Sequence, residues 1–165
     1  MSEVPEWLLL FRTGSLRFGF DVDAVDRVIP ALEVNPLPGA PASVRGVTVV
    51  SNEIVPVIDP TTPFKNGDGS PDDSMDSLDL TCRFVIVQTQ KRILAVIAEE
   101  VDGVRDGAGL RLGAAGSLME RAPELMGVSV GGDGLIYVSN LERLISEADE
   151  IQLHAAMTGI SHDRP

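Results

Sequence analysis

Cysteine and histidine are scarce in this chain of 165 residues. The single cysteine, Cys82, excludes an internal disulfide and a zinc cluster built from cysteines. Cys82 stands at the start of an apolar run, which favours a buried structural thiol. Both histidines, His154 and His162, lie late in the sequence, so the body of the chain offers none for acid–base catalysis. These shortages argue against an enzyme.

Aromatic and basic residues are also few. Aromatic residues make up 4% of the chain, whereas hydrophobic residues make up 44%, so the core is expected to be aliphatic. Lysine and arginine number 13 against 25 acidic residues, which gives a net charge of -12. Such a surface repels phosphate backbones and anionic lipids. The composition therefore predicts that the chain does not bind nucleic acid or membrane surfaces.

Long apolar runs are missing as well. None reaches the roughly 18 residues needed to cross a bilayer. The first residues, Met1 to Glu6, are acidic and lack the basic region of a signal peptide. We therefore expect a cytoplasmic protein without direct membrane insertion.

Motifs for catalysis and cofactor binding are lacking too. There is no phosphate-binding loop and no nucleophile elbow. Asp59-Pro60-Thr61 is similar to an aspartic protease half-site, but Thr62 follows where that chemistry needs glycine, so Asp59 is interpreted as a turn or cap residue. The aspartates of residues 65–80 do not match the ligand order of an EF-hand. No cofactor and no metal are predicted.

The most apolar internal stretch, residues 44–59, predicts a β-hairpin at the centre of the core. β-Branched residues dominate both halves, and Ser51-Asn52 supplies the turn, since asparagine tolerates positive φ. Both strands are apolar on both faces, which indicates burial on both sides. Pro56 cannot donate a ladder hydrogen bond, so its strand is expected at an edge or a bulge.

Other stretches alternate between apolar and polar residues with period two, which predicts further strands. A capped helical turn is predicted after Asp21. In the extended stretch at residues 99–106, Val101 and Val104 are expected to point inward. An amphipathic helix is predicted from Leu141 to about Met157, with an apolar face at positions 141, 144, 145, 148 and 151. The other predicted strands cover residues 7–11, 16–20, 83–88, 93–97, 125–130 and 135–138.

About ten short strands and one terminal helix indicate an all-β fold with a C-terminal helix, built as small barrels rather than βαβ units. We expect one domain over residues 7–156, with two barrel subdomains divided near residues 65–80. That acidic, glycine-rich stretch is predicted to be a flexible loop. Residues 157–165 are predicted to be a frayed tail.

Five features recur in an informative order along residues 7–146. They are Leu10-Phe11 with Phe18-Gly19-Phe20-Asp21; Val22 to Ile29; Pro36 to Pro41 followed by Val44 to Val47; Ile54 to Asp59; and a final group, Leu125 to Val128, Leu135 to Val138 and Leu141 to Ile145. In these features the chain resembles the CheW-like coupling proteins of bacterial and archaeal chemotaxis. The order and spacing of the features carry the resemblance more than any one of them.

The resemblance implies two intertwined five-stranded barrels of SH3-like shape around a shared core, and an adaptor without catalysis. One surface would bind the regulatory domain of a CheA-type histidine kinase. A groove between the barrels would hold the cytoplasmic tip of a methyl-accepting chemoreceptor. The protein would then be recruited to membrane receptor arrays.

The chain departs from the family at the central hairpin. Relatives usually carry Asn-Leu-Arg-Gly where this chain has Val49-Val50-Ser51-Asn52, and some have an acidic residue at the position of Arg27. We hypothesise that these two positions normally attract each other in relatives and that this chain has moved the positive charge to Arg27. The predicted partner-binding residues are Val22, Val25, Arg27, Val28, Arg45, Gly46, Ser51 and Asn52, of which Gly46 is interpreted as a backbone requirement.

Two alternatives stay open. The departures allow a divergent scaffold of a two-component pathway outside chemotaxis. A small β-barrel enzyme is the remote alternative, and it lacks a recognisable catalytic triad or paired Asp-Thr-Gly.

Overall fold

The structure is a computed structural model that describes residues 5–64, 81–107, 112–113, 125–131 and 134–162. It confirms a mostly β fold with one C-terminal helix. The predicted flexible loop at residues 65–80 lies outside the described residues. The described strands are β1 (Trp7–Thr13), β2 (Leu16–Asp21), β3 (Val25–Pro30), β4 (Val44–Val50), β5 (Glu53–Ile58), β6 (Arg83–Gln88), β7 (Ile93–Ala98), β8 (Glu100–Asp106), β9 (Leu112–Gly113), β10 (Leu125–Gly131) and β11 (Gly134–Ser139), and the helix is α1 (Glu147–His162).

The strands form two sheets. One has the order β8-β1-β2-β11-β10-β9, in which β9 contributes two residues, and the other has the order β3-β6-β7-β5-β4. The second sheet is joined edge to edge by Asn35, which follows β3 and exchanges two backbone hydrogen bonds of 2.8 Å with Val47 of β4. This bridge converts the five-stranded sheet into a small barrel.

Successive side chains of a strand point to opposite faces of its sheet, so the buried apolar residues divide into three clusters. The five-stranded barrel encloses one of them, and the six-stranded sheet has a smaller, buried one on the face opposite the shared core. The largest cluster lies between the sheets and takes side chains from both. The enclosed cluster includes Val57, Phe84, Ile86, Ala95 and Ile97; the smaller one is Leu8, Leu10, Ile136 and Val138; the shared one includes Leu9, Phe11, Phe18, Phe20, Val47, Ile58, Val85, Val87 and Val96. The predicted shared core is confirmed.

The predicted division of the two barrels near residues 65–80 is wrong. β5 ends at Ile58 and β6 begins at Arg83, and both belong to the five-stranded sheet. β1 and β2 instead join the late strands, since β2 pairs in parallel with β11 and β1 pairs with β8. Both sheets have the same apolar alternation, so the sequence pattern cannot assign a strand to one or the other.

The central hairpin forms as predicted. Ser51 and Asn52 have φ angles of 50° and 68°, so both take the left-handed conformation that a two-residue hairpin turn needs. The edge position expected for Pro56 is wrong, because β5 lies between β4 and β7. Counting from the turn, Pro56 and Val47 form a non-hydrogen-bonded pair, so the proline nitrogen faces β7. Pairing with β7 starts one residue later, at Val57, which explains how the proline is accommodated.

The predicted C-terminal helix is divided in two. Asn140 caps a short 3₁₀ turn at Leu141–Arg143, and α1 begins only at Glu147, where the Ser146 hydroxyl accepts a hydrogen bond from the Asp149 amide at 3.1 Å. α1 then continues past Met157 to His162, so much of the tail predicted to fray is helical. Thr158-Gly159 does not stop the helix, and the Thr158 hydroxyl donates to the His154 carbonyl at 2.8 Å within it.

The apolar face predicted for this helix is also partly wrong. Ile151 is 74% exposed, whereas Leu153 is completely buried against the shared core. α1 is held to the five-stranded barrel by Arg92, whose Nε donates to Glu150 at 2.9 Å, and by Gln152, whose amide donates to the Gly39 carbonyl at 2.9 Å. These contacts fix the rotation of α1 about its axis. Because the chain breaks its helical path before Glu147, the apolar positions counted from Leu141 do not continue in phase along α1.

Gly46 is expected to be essential for barrel closure. A Cβ at this position would lie 2.2 Å from the Asn35 carbonyl oxygen, which is backbone and cannot move aside. Gly46→Ala should therefore lower the free energy of unfolding by about 2–4 kcal/mol, as measured by urea denaturation. The matched control is Gly159→Ala in α1, where no atom lies within 4 Å; it should stabilise the protein by about 0.5–1 kcal/mol. Equal effects of the two substitutions would contradict the assignment.

Leu153 and Ile151 provide a second comparison. Leu153→Ala should lower stability by about 2–4 kcal/mol, because it leaves a cavity in the shared core. Ile151→Ala should change stability by no more than about 0.5 kcal/mol, because its side chain is already in solvent. Thermal denaturation of both variants measures the difference, and a larger loss at Ile151 would show that α1 is rotated.

Candidate functional site: the seam of the five-stranded barrel

The barrel closes along a seam, which we define as residues 27–35 lying beside residues 47–52. Three contacts place the two segments side by side. Asn35 and Val47 form the backbone bridge, the Thr48 hydroxyl donates to the Glu33 carbonyl at 2.9 Å, and the Arg27 guanidinium reaches Ser51. The seam therefore runs from the bridge to the tip of the central hairpin.

Arg27 and Ser51 meet at the open end of the barrel. The Arg27 Nη2 atom donates to the Ser51 hydroxyl at 2.8 Å, and its Nε lies 3.6 Å from the Asp26 carboxylate. Arg27 of β3 is paired with Ile86 of β6, and Ile86 faces the barrel interior. The long side chain of Arg27 can therefore cross the open end of the barrel to the hairpin. The two positions linked by the sequence hypothesis are therefore in contact in this chain.

The outer surface of the seam is unusually apolar. Val28 is 38% exposed, Leu32 is 41% exposed and Val49 is 54% exposed. Leu32 and Val49 were not among the predicted site residues, and the expectation that β4 is buried on both faces is wrong at Val49. The sequence offers one signal for Val49: it lies next to the hairpin turn, where a strand extends beyond the core that covers the rest of it.

The predicted site residues fall into three groups. Arg27, Val28, Ser51 and Asn52 are exposed on the seam. Val22 and Val25 are partly buried against the shared core, beside the 3₁₀ turn Val22–Ala24 that carries the chain from one sheet to the other.

The remaining two predicted residues lie at the base of β4. Gly46 is buried under the bridge, in agreement with its interpretation as a backbone requirement. Arg45 is partly buried, and its Nη2 atom has no hydrogen-bond partner among the residues that the structure describes. Gly46 therefore contributes to barrel closure, and Arg45 lies outside the seam.

Asp59 is a turn residue, as predicted. Its carboxylate accepts hydrogen bonds from the Thr61 amide at 2.9 Å and the Thr61 hydroxyl at 2.5 Å, and the side chain is 1% exposed. These bonds hold the chain as it leaves β5. The same carboxylate oxygen accepts both bonds, which is the arrangement of an Asx turn.

In the described ranges, no group of three or more histidine, cysteine, aspartate or glutamate side chains is arranged to hold a metal ion. Among the helices of the same residues, none has both the length and the apolar character to span a membrane.

Comparisons with known proteins agree on one family. The chain matches the CheW-like domain over residues 8–149. Chemotaxis protein CheW of Treponema pallidum (strain Nichols) is 35% identical over 51 residues, which are 31% of this chain and 30% of that protein. The alignment thus spans less than a third of this curated relative.

A solved structure has the same fold. The crystal structure of the scaffolding protein TtCheW from Thermoanaerobacter tengcongensis superposes with a TM-score of 0.67 at 20% sequence identity, covering 88% of this chain and 90% of the other. At this identity the likeness concerns the fold. The domain match over residues 8–149, however, takes in most of the sequence, and the chain therefore belongs to the CheW-like domain family.

Proposed function

We propose that this chain is a non-catalytic signalling adaptor that couples chemoreceptors to a CheA-type histidine kinase, in chemotaxis or a related motility pathway. The observation that carries the proposal is an exposed apolar seam, fixed by the Arg27–Ser51 hydrogen bond, on a CheW-like fold. Large apolar side chains grouped on a surface are typical of protein interaction sites. An adaptor needs such surfaces and no reactive centre.

Two of the three groups of predicted residues suggest two contact surfaces. The seam, with Arg27, Val28, Ser51 and Asn52 exposed, is proposed to bind the regulatory domain of the kinase. The junction between the sheets, where Val22 and Val25 pack, is proposed to face the cytoplasmic tip of the receptor. Two separate surfaces allow one adaptor to hold both partners at once, which raises their effective concentration near each other.

This division also implies a location. We propose that the protein is cytoplasmic and is recruited to membrane receptor arrays through its partners rather than by its own insertion. The net charge of -12 favours protein contacts over anionic lipid surfaces.

One observation favours a second candidate function. Ser51 stands where relatives usually carry arginine, and it receives a hydrogen bond from Arg27. A hairpin tip that differs from that of relatives is expected to bind a different partner. The alternative function is therefore a scaffold of a two-component pathway outside chemotaxis.

Arg27→Glu is expected to weaken partner binding by about tenfold or more, because it removes the bond to Ser51 and places a second carboxylate beside Asp26. The measurement is a pull-down from native lysate with the wild-type chain and the variant as baits, followed by mass spectrometry. Recovery of a histidine kinase together with receptors supports the array coupler.

The control is Arg27→Lys, which keeps the charge and a donor and should retain most of the binding. Unchanged recovery with Arg27→Glu would remove this pair from the binding surface. Recovery of a kinase without receptors, or of unrelated signalling proteins, would favour the alternative scaffold.

A further inference from the structure

Backbone pairing joins the central hairpin, β4 and β5, to the rest of its barrel over short stretches. On one side, β5 pairs with β7 through two residues, Val57 and Ile58. On the other side, within the described residues, β4 pairs with the chain after β3 through the single bridge of Asn35 and Val47. β4 and β5 themselves pair at six positions. The hairpin tip with Ser51 therefore takes its position from whatever supports these two short attachments.

The first attachment, the bridge, is continued by a loop. Residues 36–43, which we call the return loop, lead from Asn35 back to the start of β4. Leu37 anchors this loop in the shared core, where it is 6% exposed. The Ala40 amide donates to the Leu37 carbonyl at 3.2 Å, and Gly39 in the bend has a φ of 81°, which suits glycine. A shift of the return loop would therefore move Asn35 relative to β4.

α1 is fixed to the strand that supports the second attachment. Glu150, Leu153 and Met157 are three and four residues apart, so they share one side of the helix. Arg92, one residue before β7, contacts two of them: its Nε donates to Glu150 at 2.9 Å and its Nη1 lies 3.0 Å from the Met157 sulfur. The Arg92 and Glu150 side chains are 16% and 15% exposed, so solvent screens this ion pair little. Leu153, between the two contacts, is buried in the shared core.

The neighbouring side of α1 meets the return loop. The Gln152 side-chain amide donates to the Gly39 carbonyl at 2.9 Å. Ala156, one turn further along the helix, is the nearest contact of the same bend, since a Cβ on Gly39 would lie 4.0 Å from its Cβ. α1 therefore extends from the strand that holds β5 to the loop that holds β4.

We propose that α1 is a brace for the seam and that Gln152 is a positioning residue within it. The bond from Gln152 to Gly39 holds the return loop, and the loop keeps Asn35 within bridging distance of Val47. The closed seam, with its bridge formed, is the state that the kinase regulatory domain recognises. That last step rests on the proposed kinase contact of the seam, to which α1 itself contributes no side chain.

Hydrogen–deuterium exchange followed by NMR tests the brace in the chain alone. The amides of Asn35 and Val47 donate the two bonds of the bridge, so their exchange rates report its opening. Gln152→Ala removes the donor to Gly39 and keeps a strong helix former in α1. Both bridge amides should exchange about twofold to tenfold faster in this variant, as expected for the loss of one hydrogen bond. The paired amides of β6 and β7 should keep their rates.

Two further variants separate the bond from other effects of substitution. Gln152→Glu keeps the size of the side chain, but its carboxylate cannot donate to the Gly39 carbonyl, so the bridge amides should again exchange faster. The control is Ile151→Ala, at the adjacent position of α1, whose side chain is 74% exposed. It should leave both exchange rates within about twofold. Circular dichroism checks that every variant keeps its helix.

A second arm tests the link to binding. A partner that recognises only the closed seam opposes its opening, by an amount that grows with partner concentration. A large excess of the purified regulatory domain of a CheA-type kinase from the same genome should therefore slow exchange at Asn35 and Val47 by about tenfold or more. It should do so in the wild-type chain and in Gln152→Ala alike, because position 152 lies outside the seam.

The outcomes separate the brace from the proposed function. If neither Gln152 variant speeds exchange at the bridge, or if Ile151→Ala speeds it equally, α1 does not brace the seam. If the kinase domain binds without slowing the bridge amides, the closed seam is not the state it recognises, and the role of the brace in binding is wrong. If the kinase domain does not bind the wild-type chain, the proposed kinase coupling falls, whereas faster exchange in both Gln152 variants still supports the brace.

Discussion

Closure of the five-stranded barrel depends on one close approach between backbones. Asn35 and Val47 exchange two hydrogen bonds across the seam, and Gly46 allows this because a side chain there would overlap the Asn35 carbonyl. Without the bridge, β3 and β4 would be the two open edges of a flat sheet, with unpaired amides and carbonyls. The bridge also sets where Arg27 stands relative to the hairpin tip. The geometry of the candidate site is therefore a consequence of barrel closure.

The shared core gives the two sheets a fixed relation to each other. The chain has few aromatic residues, but three of its phenylalanines meet in this core: Phe11 stacks on Phe18 with ring centres 5.4 Å apart and meets Phe20 edge-on at 4.7 Å. Aliphatic side chains of the other sheet complete the cluster. Burial of large apolar side chains from both sheets resists their separation. The seam is thereby held in a fixed position relative to the six-stranded sheet.

The surface residues differ in whether the sequence could predict them. Arg27 and Ser51 were linked by hypothesis because both depart from the family pattern, and the structure joins them by a hydrogen bond. Leu32, Val49, Trp7 and Val104 were missed as surface residues because their apolar character is the same as that of core positions. Exposure at these positions arises from strand ends and sheet edges, which depend on the pairing partners. Local sequence does not contain that information.

The sequence by itself determined the local elements: the strands by period-two alternation, the central turn by Ser51-Asn52, and the cap of the 3₁₀ turn by Asp21. It also determined the family, through the order of its features. Only the tertiary structure decided which strands share a sheet, since β1 and β2 join β8 and β11 across most of the chain. It likewise decided the rotation of α1, through Arg92–Glu150 and the burial of Leu153. The physical reason is that alternation and turn chemistry act between neighbours in sequence, whereas pairing and packing act between neighbours in space.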